Sequence, residues 1–228
     1  MRIAEIFHSV QGEGELTGTE SVFIRTSGCN LRCWFCDTPY TSWAPEGKDV
    51  PMDEILALVE EWDCRHVVLT GGEPMLFSEA IPLAAALRRA GRNLTIETAG
   101  TLYLPIECDL MSISPKLAGS TPTPERDARW SRRHERARHN PEVIRRLVSE
   151  YRYQLKFVID TLDDCAEVER YLAEFPEVDR SRVMLMPQGT ELTALAEKGR
   201  WLEAYCQEHG LRFCPRRQIE WFGAVRGT

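Results

Sequence analysis

Cys29, Cys33 and Cys36 fall within one short run, CNLRCWFC, three thiols in eight positions. A C-x3-C-x2-C spacing lets one short loop wrap a metal cluster, and thiolates are the usual ligands of iron–sulfur clusters. Four thiols would close a structural site. Three thiols on a cube-shaped [4Fe–4S] cluster leave one iron with no protein ligand, open to a substrate or cofactor. Two other readings fit the same spacing. One is a structural zinc site completed by Asp37 or by a distant cysteine or histidine. The other is three unligated cysteines buried as small hydrophobes.

These thiols sit in a chain of 228 residues with 43% hydrophobic residues, enough for one α/β domain with a sizeable core. The net charge of −7 argues against general binding to nucleic acid or anionic membrane. No apolar run is long enough to span a bilayer. The start, MRIAEIFHSV, lacks the pattern of a signal peptide, so a cytoplasmic setting with reduced thiols is expected. The eight cysteines therefore point to metal or redox chemistry rather than disulfides. Cys64, Cys108, Cys165, Cys206 and Cys214 lie apart from the cluster motif and read as structural.

Six apolar, β-rich runs are predicted as strands: 21–28, 66–72, 93–100, 108–116, 153–160 and 182–189. Helix-like periodicity marks 52–62, 79–91, 140–151, 162–175 and 191–210. Asp53 and Glu54 suit the positive N-terminal end of the first. Asn140 and Pro141 make a capped start, and Gly91 a stop. Alternation of strand and helix predicts a parallel sheet. Six strands are too few for a closed eight-stranded barrel, so the expected fold is an open, partial (β/α) barrel of about six mostly parallel strands, one domain over 1–228. The unusual residues gather where strands end, the edge at which parallel sheets bind ligands. Residues 117–139 read as an insertion. Their arginines are interspersed with Glu125, Asp127 and Glu135, which favours a solvated helical face or a mobile segment over a nucleic-acid site.

CNLRCWFC followed by TGGEP (70–74) resembles the radical S-adenosylmethionine enzymes. Adding SVQGEG (9–14), CDTPYT after the third cysteine, ETAGT (97–101), SPK (114–116) and the closing RGT, the chain is similar over nearly its whole length to the 7-carboxy-7-deazaguanine synthases. The resemblance implies ring contraction of 6-carboxy-5,6,7,8-tetrahydropterin to 7-carboxy-7-deazaguanine with loss of ammonia, in queuosine and 7-deazapurine biosynthesis. It implies a [4Fe–4S] cluster on Cys29, Cys33 and Cys36. An electron from a flavodoxin- or ferredoxin-type donor cleaves S-adenosylmethionine, and the deoxyadenosyl radical takes a hydrogen from the pterin and later returns it. It further implies Mg²⁺ and a homodimer.

By the same resemblance, Phe35, Cys36, Asp37, Gly72, Ser114, Pro115, Lys116, Met186, Pro187, Gln188 and Gly189 contact S-adenosylmethionine. Val10, Gln11, Gly12, Arg25, Thr70 and Glu97 contact the pterin, and Thr38 binds magnesium. Each has a plainer reading: QGEG as a surface turn, Arg25 as an outward strand arginine, Glu97 as a solvent-facing or ion-paired carboxylate, Lys116 as a surface lysine, Thr38 as a loop hydroxyl bonded to backbone. The chemistry suits the implied roles. Arginine pairs with carboxylates as a fork, a hydroxyl is a hard oxygen ligand for magnesium, and glycine permits close backbone approach. No role is assigned to Thr228. Two competing functions are a glycyl-radical-enzyme activase, which shares the cysteine loop, and a non-catalytic zinc or iron–sulfur binding module. QGEG and Thr38 speak against the first, TGGEP and SPK against the second.

Overall fold

In the computed structural model, which describes residues 1–228, alternate positions of the central strands differ sharply in chemistry. The chain runs β1 (Arg2–Val10), β2 (Glu20–Thr26), β3 (Lys48–Asp49), α1 (Met52–Glu60), β4 (His66–Gly71), α2 (Ala80–Arg89), β5 (Asn93–Thr98) and β6 (Leu110–Ile113). It continues through α3 (Pro124–Ala137), α4 (Pro141–Glu150), β7 (Tyr153–Ile159), α5 (Leu162–Glu174), β8 (Val183–Pro187), α6 (Leu192–His209), β9 (Arg212–Phe213) and α7 (Arg217–Phe222). The strands form one sheet in the order β3-β1-β2-β4-β5-β6-β7-β8-β9. From β2 to β9 all neighbours are parallel, whereas β1 runs antiparallel to β2 and β3. The result is the expected α/β fold with an open, partially formed barrel.

Side chains alternate across a strand with period two. Val22 and Ile24, Val67 and Leu69, Leu94 and Ile96, Met111 and Ile113, Leu155 and Phe157, and Val183 and Leu185 all belong to the main apolar core. Leu83 and Leu87 of α2, Ile144 and Leu147 of α4, and Val168 and Leu172 of α5 join that core. The intervening positions Arg25, Thr70, Glu97, Ser112, Lys156 and Met186 line a cavity on the opposite face. One face is closed by helices. The other is left to polar side chains.

All six expected strands are present, but the sheet has three more. β3 and β9 are two residues each, too short to carry a periodic signal. β1 is mostly half-buried and lacks an apolar run. The expected helices also form. Asn140 Oδ1 accepts from Val143 N, and Thr161 with Asp164 forms a capping box for α5. No helix is long and apolar enough to cross a membrane.

Residues 117–139 form a 3₁₀ turn and then α3, which is interrupted at Asp127 by extended backbone. Asp127 Oδ1 caps the helix that follows by accepting from Trp130 N at 2.9 Å. The arginines at 126, 129, 132, 133 and 136 are exposed. His134 is wholly buried.

Phe157 is fully buried on the helix-covered face and meets Tyr171 edge-on at 5.1 Å. Phe157→Ala is expected to lower the unfolding free energy by about 3–5 kcal/mol, read from urea denaturation. A loss below about 1 kcal/mol would mean that this face is not the principal core.

Candidate active site

The segment between β2 and the 3₁₀ turn Pro39–Thr41 has no repeating backbone pattern, so its thiols are held by individual bonds. Cys29, Cys33 and Cys36 are free and all line one cavity of about 400 Å³. Cys29 Sγ accepts from Leu31 N at 3.4 Å, and Cys36 Sγ from Ser42 Oγ at 3.2 Å. Trp43 Nε1 donates to the Cys33 carbonyl at 2.9 Å. Burial, reinforced by the nearby Glu73 charge, pushes the Cys29 thiol up to about 12. Burial likewise pushes Cys33 up to about 12. Thr38 Oγ1 lies 3.8 Å from Cys36 Sγ and accepts from Thr41 Oγ1 at 3.4 Å.

The end of β4 supports this loop from below. Gly71 has φ +133°, a conformation open to glycine. Gly72 N donates to the Thr26 carbonyl at 3.1 Å, and a Cβ on Gly72 would land on the Gly28 carbonyl. Glu73 is wholly buried. Its carboxylate accepts from Met75 N, Ala99 N and Thr98 Oγ1 at 2.9–3.0 Å. Burial pushes its pKa up, against the pull of those donors. It thus ties the end of β4 to the end of β5. At the end of β6, Lys116 Nζ donates to Ser114 O at 2.6 Å and to Ser114 Oγ at 2.8 Å.

The polar inner face forms three groups. In the first, Arg25 Nε donates to Glu5 Oε1 at 2.7 Å, across the β1–β2 register that pairs these residues. Tyr40 Oη and Arg226 Nε also donate to Glu5, at 2.7 and 3.0 Å. Both terminal nitrogens of Arg25 remain without a protein partner. In the second, Glu97 accepts from Thr70 Oγ1 at 2.7 Å and from Gln11 Nε2 at 3.4 Å.

The third group is a buried ion network. Lys156 donates to Glu13, and Arg216 Nε reaches Glu13 Oε1 at 3.3 Å. Arg216 also pairs with Asp37 and donates to the Gly189 carbonyl at 2.7 Å. Gln218 Nε2 donates to Glu13 at 2.5 Å, while Gln218 Oε1 is buried with no partner. Burial alone would push the Glu13 carboxyl up. The Lys156 and Arg216 charges and the hydrogen bonds overcome that and hold it down at about 2. Burial would push Lys156 down, but Glu13 and Glu97 raise it.

Every site residue expected from the sequence lines the large cavity except Pro115, Pro187 and Gly189. Pro115 lines a neighbouring cavity of about 120 Å³ together with Phe35, Lys116 and Asp160. Pro187 is buried at the end of β8, and Gly189 contributes its carbonyl to Arg216. Sequence reasoning missed Glu5, Glu13, Glu73, Lys156, Arg216 and Gln218. A lysine two positions from a glutamine inside YQLKFVID was the available signal, since both share the inner face. Thr228 and the preceding Gly223–Gly227 also line the cavity.

The donor set fits the implied groups. Three thiols share a cavity with strand-end polar groups, yet no three Cys, His, Asp or Glu side chains converge as a ready single-ion site. The orphaned Gln218 Oε1 beside Gly12 offers an acceptor to a ligand N–H.

The model of the Radical SAM superfamily matches residues 23–168. The chain is 48% identical to the 7-carboxy-7-deazaguanine synthase of Rhodopirellula baltica, over 99% of this chain and 88% of that protein. It is 44% identical to the 7-carboxy-7-deazaguanine synthase of Halobacterium salinarum, over 95% of this chain and 88% of that one. Among solved structures, QueE from Escherichia coli superposes with a TM-score of 0.71 over 95% of this chain and 93% of that chain, at 23% identity.

The Glu13 network sets a pH dependence. Its folded pKa lies below the unfolded value of about 4.3, so its stabilisation is present above that pH and lost as pH falls through about 2. Glu13→Gln should be less stable than wild type at pH 7, because Lys156 and Arg216 lose their shared partner. The difference should narrow as the pH falls from about 5 towards 2. Urea midpoints across this range test it. A difference that stays constant with pH would show that Glu13 is not held ionised by the network.

Proposed function

The chain belongs to the 7-carboxy-7-deazaguanine synthase family of the radical S-adenosylmethionine superfamily, and we propose that its one large cavity carries out the family's ring contraction with the residue roles given below. The enzyme catalyses the radical-SAM-dependent conversion of queuosine and 7-deazapurine biosynthesis. The observation that carries the role assignment is the shared cavity: three thiols, the TGGEP strand end and a polar inner face open onto one space.

Cys29, Cys33 and Cys36 would hold a [4Fe–4S] cluster. When bound, the cluster and S-adenosylmethionine supply reductive generation of a carbon radical that abstracts hydrogen. The protein supplies the rest. Gly72 lets backbone approach the cofactor, with Phe35, Ser114, Lys116, Met186 and Gln188 around the same space. Asp37 is already engaged by Arg216, so its side chain shapes the loop while its backbone remains available to the cofactor.

Glu97 accepts N–H bonds, and its hydroxyl and amide partners Thr70 and Gln11 fix its direction. It is placed to receive the guanidine-like edge of the pterin. Glu5 orients Arg25 through Nε alone, which leaves the terminal fork for the substrate carboxylate. Thr38 is the proposed magnesium ligand, supported by its place in the lining of the same cavity, and magnesium would keep water in its other positions. Held by carboxylate and guanidine edge together, the pterin has one orientation towards the cofactor. A flavodoxin- or ferredoxin-type electron donor and a homodimer complete the proposal. Both rest on the family resemblance, and exposed Trp221 and Phe222 of α7 provide apolar surface for association.

The central test is turnover of 6-carboxytetrahydropterin after anaerobic loading with iron and sulfide. Wild type should form 5′-deoxyadenosine and product, and Cys33→Ala neither. Near-normal cofactor cleavage by the variant would place the cluster elsewhere. Arg25→Ala should load its cluster normally but bind the pterin at least about tenfold more weakly, since loss of a charged partner costs about 2–5 kcal/mol. For magnesium, Thr38→Ser should keep most of the metal's stimulation of product formation and Thr38→Ala should lose it. Full stimulation in the alanine variant would remove Thr38 as the ligand.

A further inference from the structure

The cysteine loop lacks secondary structure, so its backbone N–H and C=O groups must find partners elsewhere. Three backbone groups between Asn30 and Cys36, and one indole N–H, find theirs in the 117–139 segment. Arg32 N donates to His134 Nδ1 at 3.0 Å, and Trp34 N to the Ser120 carbonyl at 3.1 Å. Trp34 Nε1 donates to the Gly119 carbonyl at 2.7 Å, and the Trp34 carbonyl accepts from Arg126 Nη1 at 2.9 Å. Arg32 turns back over its own loop, donating to the Cys29 and Leu31 carbonyls at 2.7 Å, and its guanidinium lies 3.9 Å from the centre of the Trp130 ring.

His134 is the one side chain that α3 buries completely, and it is spent on this contact. Because Nδ1 accepts the Arg32 N–H, the ring proton resides on Nε2. Nε2 then donates to Ser120 Oγ at 2.9 Å, and Ser120 Oγ donates to the Leu117 carbonyl at 2.6 Å. The chain of donors has one direction, from the cysteine loop through the imidazole into the start of the same segment. The acceptor is neutral and fixed at both ends.

We propose that His134 is a positioning residue for the three-thiol loop: it binds the Arg32 N–H and so holds Cys29 and Cys33 ready for ligation before any cluster is present. This rests on reading the loop as the cluster's holder. With the acceptor gone, a buried N–H would be left unpaired, and the loop would rearrange to satisfy it. Ser120 fixes the imidazole and acts one bond further away.

The measurement is amide hydrogen exchange in the cluster-free, reduced protein, for peptides covering residues 29–38, in wild type, His134→Phe, His134→Asn and Ser120→Ala. Phenylalanine keeps the ring volume but has no acceptor, and exchange in the loop should quicken by roughly tenfold or more. Peptides from β4 and β7 should exchange as in wild type. Asparagine can present an oxygen near the place of Nδ1, so His134→Asn should exchange close to wild type, and Ser120→Ala should fall between. After loading, the phenylalanine variant should lose iron to a chelator several-fold faster than wild type. Wild-type exchange in His134→Phe, or equal acceleration in the asparagine variant, would overturn the proposal. If the phenylalanine variant does not fold, Ser120→Ala decides: no acceleration there overturns it. Failure of wild type to load a cluster would sink the cluster reading instead, while the exchange data would still decide the role of His134.

Discussion

A lysine buried in the middle of a parallel strand has to be neutralised, and the way Lys156 is neutralised organises this site. Burial of an unpaired ammonium is far costlier than burial of a matched pair. Lys156 therefore draws Glu13 down from the turn after β1, and Glu13 in turn holds Arg216 and Gln218. Arg216 reaches on to Asp37 and to the Gly189 carbonyl. One network thus ties a strand, the first turn, the third-cysteine segment, the end of β8 and the segment leading into α7. Removing Glu13 would leave the buried Lys156 without its closest carboxylate and Arg216 with Asp37 alone.

That network is possible because the sheet keeps two chemistries apart. Helices α2, α4 and α5 cover one face with leucine, isoleucine and valine, and the barrel is left open. The inner positions are consequently free to be arginine, glutamate, lysine and threonine. Each is fixed by a neighbour on an adjacent strand or turn: Arg25 by Glu5, Glu97 by Thr70 and Gln11. Rigid strands hold these directions more closely than loops would, and preorganised direction is what a radical reaction requires of its protein. The thiols are the exception, since they sit on irregular backbone whose bonds run to the 3₁₀ turn Ala118–Ser120 and to α3.

Legibility in the sequence followed burial. Strands such as HVVLTGG and RVMLMPQG were readable because their helix-facing residues are wholly apolar and glycine or proline marks their ends. Short β3 and β9 carry no period, and β1 is half-exposed along most of its length. Motif residues such as Thr70, Gly72 and Glu97 were readable from their neighbours in the chain, and they share one cavity. Glu13 and Lys156 were not read, because a charged residue is by default a surface residue and their partners lie far away in sequence. Arginine dominates the composition of 125–139, so the segment reads as solvated. His134, which accepts from the cysteine loop, is a single buried position in a helix of otherwise exposed or half-buried residues.

The distances along the chain have a consequence for synthesis. A ribosome delivers the cysteines early, but His134 follows Arg32 by 102 residues and Arg216 follows Asp37 by 179. Throughout that interval the thiols belong to a nascent chain whose loop has no template and whose Glu13 has no arginine. Long-range contacts of this kind form late and leave partly folded species exposed while they wait. The contacts that hold the cysteine loop and Glu13 are therefore complete only after translation has passed Arg216.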